Sequence, residues 1–268
     1  MGQTGILVSR YAETIWNKKI KVAMLVGFPI LAAVVITLVI NEEKMFSAYY
    51  DTRMGLFMIA AAAIFVGLCN SNTEVCKERN IVKREYMTNL SLVSYIGSKL
   101  IVQGIICLMQ TVIFVVIYSF AFEFPEDGLV FGSGTVDIFI SLFLIMLSST
   151  TMGLFISSAV KNNDTANTIT PYMLIFQIIF SGVIFNLEGA MNTVASFMIS
   201  KWGMNALGTA SDLNGLIKPT DLTAKYSDAF EYESGHLFSM WIVLMLFTVI
   251  FAAGSMLILK RVSKDTRE

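Results

Sequence analysis

Six stretches of this chain run for about the length of a bilayer-spanning helix with almost no ionisable side chain, and that repetition restricts the fold more than any other feature. They are residues 22–40, 54–69, 100–122, 136–160, 171–187 and 237–259, and the one acid among them, Asp137, stands one residue inside its stretch. A hydrocarbon core of about 30 Å takes about 20 apolar residues in helix, and a helix satisfies every backbone group without water. The pattern predicts an all-α membrane protein with six transmembrane helices. The second and fifth stretches are short, so they tilt little or continue as helix beyond the hydrocarbon. Composition agrees, with 55% hydrophobic and 15% charged residues among 268, against about 25% charged in soluble domains. A net charge of −1 offers no basic face for nucleic acid.

Basic residues beside the spans set their orientation. With both termini in the cytoplasm, the inner segments hold 14 of the 19 Lys and Arg residues, leaving Lys44, Arg53, Lys201, Lys218 and Lys225 outside. The outer segments also gather acids such as Glu42, Glu43, Glu123, Glu126, Asp127, Asp221, Asp228, Glu231 and Glu233. A multi-pass protein of the plasma membrane with both ends inside is the consistent topology. Arg10, Glu13, Lys18, Lys19 and Lys21 precede a first stretch too long for a signal-peptide core, so it is expected to be retained. Cys69, Cys76 and Cys107 fall in spans or on the inner side, an odd number that predicts free thiols.

The chain reads as one transmembrane domain over 1–268. Residues 1–21 form an interfacial connecting helix, with Leu7, Tyr11 and Ile15 on one side and Trp16, Lys18 and Lys19 at headgroup level. Residues 22–187 carry spans one to five and include a charged inner helix at 73–90. There Glu74, Lys77, Glu78, Arg79, Lys83, Arg84 and Glu85 alternate in sign beside a narrow apolar side of Val75, Val82 and Tyr86. Its charges are expected to face water, and from composition it is either a docking element or a solvated hairpin. Residues 188–236 are long for a structureless loop. Positions 190–207 predict a re-entrant or interfacial helix pair, with the Trp202 indole turned to water or a headgroup, and 212–235 an aqueous loop. Span six and a cytosolic tail occupy 237–268.

No phosphate-binding loop, H-E-x-x-H, G-x-S-x-G or Cys/His cluster occurs, so no enzymatic site and no metal site is expected on the chain. Spans without mid-membrane ionisable groups are not built to couple to an ion gradient. Their polar residues, Gln103, Gln110, Gln177 and the run Ser148-Ser-Thr-Thr151, read as packing glue.

Three motifs carry a resemblance. They are Glu78-Arg79-x-x-Val82-x-Arg84-Glu85-Tyr86 followed by Ser94-Tyr95-x-x-Ser98-Lys99-Leu100, then Phe180-Ser-Gly-Val-Ile-Phe-Asn-Leu187, then Ser200-Lys-Trp202-Gly-Met-Asn-Ala-Leu207. In order and spacing the chain resembles the membrane domains of ABCG-like, type V ABC transporters. The resemblance implies a coupling helix presenting Glu74, Glu78, Arg79, Arg84, Glu85 and Tyr86 to an ATP-binding cassette subunit. It also implies a cargo cavity lined by Ala62, Phe65, Val66, Met173, Phe176 and Phe180, and an outer gate at Val183 and Ile184. Phe65 reads either as an aromatic slab against cargo or as plain helix packing. Two membrane subunits, alike or different, would work together, with ATP and Mg on the partner ATPase and no cofactor here. The implied activity is outward movement of a hydrophobic or amphipathic cargo, whether lipid-like, peptide or drug-like, by alternating access. The last outer loop lacks the cysteines and sequon usual in eukaryotic members, so a bacterial half-transporter is more similar. Many relatives fuse the ATPase ahead of the membrane domain, so here it is a separate polypeptide or the chain is a fragment. A scaffold or immunity subunit that docks an ATPase without transporting is the alternative.

Overall fold

The computed structural model describes every residue except Met1, Asn41, Thr88, Asn186, 219–223 and 265–268. Ten α-helices appear among the described residues, with short 3₁₀ turns and no strand. They are α1 (Gln3–Trp16), α2 (Lys19–Val39), α3 (Tyr49–Ser71), α4 (Arg79–Met87), α5 (Leu92–Ala121), α6 (Gly134–Ala159), α7 (Asn163–Ile179), α8 (Ala190–Ala195), α9 (Ile199–Ala210) and α10 (Ser234–Lys264). Those at α2, α3, α5, α6 and α10 are long and apolar enough to cross a membrane. The protein is an all-α, multi-pass membrane protein.

The fifth expected span differs. Helix α7 has 17 residues, about 25 Å at 1.5 Å per residue, and runs from Asn163 to Ile179 rather than over 171–187. Its start is fixed by Asn162, whose side chain accepts the Thr165 N–H at 2.9 Å. Pro171 therefore lies inside the helix and does not open it. Beyond Ile179 the chain turns at Gly182, whose φ of +76° suits a residue without Cβ. Helix α5 likewise begins at Leu92, capped by Ser91, and so takes Lys99 inside the helix.

Helix α6 is the centre of the bundle, packed by α3, α5, α9 and α10. The α3–α6 seam is made of small residues that let backbones approach. A Cβ on Gly67 would lie 2.6 Å from the Met146 carbonyl, and one on Gly153 would meet the Ser71 hydroxyl and the Leu68 carbonyl. Ser71 Oγ donates to the Thr150 carbonyl at 2.5 Å, and Thr150 Oγ1 donates to the Gly67 carbonyl at 3.1 Å. Ser148, Ser149 and Thr151 bond carbonyls of their own helix, as glue of this kind does. Asp137, in the first turn of α6, is buried and does not reach outward. Its carboxylate accepts the N–H groups of Val130 at 3.1 Å and Phe131 at 3.3 Å, at the positive end of the helix.

Pro29 lies inside α2 and has no N–H for the Leu25 carbonyl one turn earlier. Gln110 of α5 supplies that bond from Nε2 at 2.8 Å, while its Oε1 accepts from Asn70 Nδ2 of α3 at 2.6 Å. Gln110 thus ties three helices through a defect in one of them. Gln110→Leu should cost about 1–2 kcal/mol, since it orphans the Leu25 carbonyl and the Asn70 amide together. Pro29→Ala in the same chain should return part of the loss by restoring the backbone donor. Denaturant unfolding in micelles reads both, and an unchanged midpoint for Gln110→Leu would mean the bridge contributes nothing.

At the end of the bundle opposite α4, the expected helix pair is present as α8 and α9. Ten of the twelve residues of α9 are buried, with Gly203 against Ile145 and Gly208 against the Phe230 ring. Trp202 donates from Nε1 to the Ser196 carbonyl at 2.9 Å and so does not face water or a headgroup as expected. The following loop is less aqueous than its composition suggests. Leu213 and Phe230 are buried, and Asn214 Nδ2 donates to the Ser227 and Phe230 carbonyls, both at 2.9 Å. Asp221 and Asn186 lie outside the described residues.

Candidate coupling element and cargo groove

After α3 the chain passes through a 3₁₀ turn at Cys76–Glu78 directly into α4. Helix α1 lies against α5 and α2, and its Leu7 shares an apolar cluster with Val75 and Val82 on either side of this turn; it buries Leu7, Tyr11 and Ile15, as its periodicity requires, and leaves Trp16 77% exposed. Polar groups join these elements. Tyr11 donates its hydroxyl to Glu74 Oε2 at 2.8 Å and accepts from Gln103 Nε2 at 2.8 Å. Lys21 Nζ lies 2.6 Å from Glu74 Oε1, and Lys77 Nζ lies 3.6 Å from the same oxygen. Glu78 Oε2 takes Lys99 Nζ and the Tyr95 hydroxyl, each at 2.9 Å. The Lys99 ammonium also lies 3.6 Å from the centre of the Tyr11 ring, within cation–π reach. Arg10 grips Glu85 with two bonds, at 2.6 and 3.2 Å. Burial first, and then the Glu74 carboxylate, push the Tyr11 hydroxyl well above the usual phenol range, so it stays protonated and donates. The Glu85 hydrogen bond raises Arg10 further.

The sequence-predicted coupling residues therefore divide. Glu74 is buried and Glu78 half-buried, both turned into the bundle. Arg79 is half-buried and donates to the Val160 carbonyl, closing one of the carbonyls that α6 leaves open at its end. Glu85 and Tyr86 are half-buried. The solvent side of the element is formed by Lys77, Asn80, Ile81, Arg84 and Met87. The expectation of charges facing water thus holds for Lys77 and Arg84 and not for Glu74. Sequence reasoning assigned no part in this lattice to Tyr11, Lys21, Tyr95, Lys99 and Gln103. Tyr95, Lys99 and Gln103 stand at i, i+4 and i+8, a spacing that places them on one helix face once α5 is extended upstream.

Between α1, α2, α3 and the turn lies an open groove of about 1080 Å³. Met24, Leu25, Phe28, Phe65 and Val66 form its apolar wall, and Arg10, Lys18, Lys19, Lys21, Glu74 and Glu78 its charged end. Cys69, on this wall, is an exposed free thiol, whereas Cys76 and Cys107 are free and buried. Of the six residues expected to line a cargo cavity, Phe65 and Val66 face this groove. Ala62 and Met173 pack at the edge of the main core, while Phe180 ends α7 half-buried and Phe176 is 49% exposed on α7. The α7 set thus does not line this groove. The expected gate residues follow Gly182: Val183 packs against the core and Ile184 is 45% exposed. Arg53 of α3 donates from Nη2 to the Gly182 carbonyl at 2.8 Å and fixes that turn, a role not visible from composition.

The sequence matches the ABC-2 type transporter family over residues 2–209. It is also similar to the ABC transporter ATP-binding/permease protein of Mycobacterium tuberculosis. The two are 25% identical over 194 residues, which cover 71% of this chain and 22% of that protein. The chain spans about a fifth of the length of that relative. The matched family is a membrane-domain family and five of the helices are long and apolar enough to cross a membrane, so the chain corresponds to the permease part of such a protein and not to its ATP-binding part. With more than half of its length matched, the chain belongs to the ABC-2 type transporter family.

Proposed function

We propose that the chain is one of two membrane subunits of an ATP-driven exporter in the plasma membrane, with both termini cytoplasmic. An ATP-binding cassette subunit, carrying ATP and Mg, docks on the solvent side of α4, around Lys77, Arg84 and the neighbouring Glu85 and Tyr86. The cargo is hydrophobic or amphipathic, and it enters the groove beside Phe65 and Val66. A second copy, or a related subunit, completes the path with the α7 set of Met173, Phe176 and Phe180, and Val183 and Ile184 close it on the outer side beneath α8 and α9.

One observation carries this reading: Glu74 and Glu78 line the charged end of the groove and both stand in the segment that joins α3 to α4, Glu78 in the 3₁₀ turn itself and Glu74 two residues before it. Through Lys21, Tyr11 and Lys99 they tie that turn to α2, α1 and α5. A displacement of α4 by the ATPase would then move α1 and α2 relative to α3 and reshape the groove. In each pair one member is buried, Glu74 with Lys21 and Lys99 with Glu78, so a displacement of one partner carries the other with it rather than exchanging it for water.

Cys69 is a native reporter of this motion. In vesicles holding the chain with its ATP-binding subunit, ATP and Mg should change the alkylation rate of Cys69 by about fivefold or more, the usual lower range of site-to-site coupling. A fluorescent phospholipid or peptide should move across the bilayer in the same preparation. ATP hydrolysis without either change would favour the scaffold reading.

A further inference from the structure

We propose that the groove takes an anionic phospholipid, its phosphate resting between Lys18 and Lys19 and one chain running along Met24, Phe28 and Phe65. The proposal rests on reading the groove as the cargo path and narrows that cargo to one charge class.

The argument begins with which charges at the groove's end are already engaged. Glu74 is occupied by Lys21, Lys77 and Tyr11, and Glu78 by Lys99 and Tyr95. Arg10 is committed to Glu85. Lys18 and Lys19 are exposed and make no ion pair among the described residues. The groove therefore presents two unmatched cations beside an apolar wall.

Their position strengthens the case. Lys19 opens α2, which has no acid in its first turn and no side chain capping its first N–H groups. No acid on α2 therefore stands beside the two ammonium groups to offset them. Trp16, 77% exposed and two residues before Lys18, belongs at headgroup depth. A phosphate bound there would lie level with the phosphates of the surrounding leaflet, and its chains would enter the groove without leaving apolar surroundings. At about 1080 Å³ the groove lies at the upper end of ordinary ligand sites, about 300–1,000 Å³, which suits a chain-bearing molecule. A cationic amphiphile would meet uncompensated repulsion at Lys18 and Lys19. A zwitterionic one would bring its own ammonium beside them.

The test uses the purified chain in maltoside micelles without ATP, reading alkylation of Cys69 by N-ethylmaleimide while dioleoyl phosphatidylglycerol or dioleoyl phosphatidylcholine is added. Each lysine near an anionic headgroup contributes about 1 kcal/mol, so the pair corresponds to about 30-fold in affinity. Phosphatidylglycerol should protect Cys69 at a concentration at least about tenfold below that of phosphatidylcholine, allowing for screening by salt. Lys18→Gln with Lys19→Gln should remove the preference and leave protection by phosphatidylcholine unchanged. Cys76 and Cys107 staying unlabelled in the variant would show that it is folded, and the single Lys18→Gln chain should give an intermediate preference. Equal protection by the two lipids overturns the proposal, as does a preference that survives the double substitution. Stronger protection by a cationic detergent, or protection that follows protein concentration because a second copy covers the groove, overturns it as well. Because no ATP is involved, equal protection would leave the transport reading standing, and failed transport would leave the lipid preference measurable.

Discussion

Glu78→Ala should destabilise the chain by about 3 kcal/mol in denaturant unfolding in micelles. Lys99 is 1% exposed, and Glu78, 26% exposed, is its ion-pair partner at 2.9 Å. Removing one member of a buried pair typically costs about 3–5 kcal/mol, because the other charge is left without compensation. The lower end applies here, since Glu78 is partly solvated and the Tyr11 ring still faces the ammonium at 3.6 Å. Glu78→Gln combined with Lys99→Met should recover most of the loss, because it removes both charges and keeps similar volume. A Glu78→Ala chain within about 0.5 kcal/mol of the parent would show that Lys99 finds another partner or water. The same arithmetic bears on coupling. Replacing Glu78 and Arg79 together by Ala is expected to uncouple transport from ATP hydrolysis, yet it also strands Lys99 and the Val160 carbonyl. Arg84→Glu, on the exposed side of α4, probes the docking surface without that structural cost, and it should weaken ATPase binding while leaving the unfolding midpoint nearly unchanged.

Gly153→Val should be as damaging, for steric reasons. The first added carbon would fall on the Ser71 hydroxyl and within 2.8 Å of the Leu68 carbonyl, and backbone in a packed helix has no room to withdraw. Overpacking of this kind costs about 1–3 kcal/mol, and loss of the Ser71 bond to the Thr150 carbonyl adds about 1 kcal/mol. The α3–α6 seam should open, giving a lower unfolding midpoint and a raised alkylation rate at Cys107, which is buried against Thr150. Gly97→Ala is the control. A Cβ there meets nothing within 4 Å, so the change should be neutral or stabilising by about 0.5–1 kcal/mol. A silent Gly153→Ala would mean that the α3–α6 seam has room for a side chain at this position.

The charged inner segment is legible in the sequence from the alternating charge of Glu74 to Tyr86, whereas Phe65 and Val66 are singled out only by the family resemblance. Which carboxylates turn inward could not be read, because the 3₁₀ turn at Cys76–Glu78 breaks the helical phase that connects Glu74 to Arg84. Arg53 was silent, since its partner is a single backbone carbonyl at Gly182, and Gln110 could be read as packing glue but not as the donor to the Leu25 carbonyl that Pro29 leaves open.

The sequence alone determined the helices α2, α3, α5, α6 and α10, together with the buried stripe of α1. Each of these is a local matter: a lipid environment demands a certain apolar length and internally satisfied backbone, and a chain segment meets or fails that demand by itself. The tertiary structure decided where α7 begins and ends, why α9 is buried, and how Lys99 is held. It did so because a buried polar group or a glycine contact is settled by whatever packs against it. Those partners come from far along the chain, as Arg10 meets Glu85 and Gly208 meets Phe230.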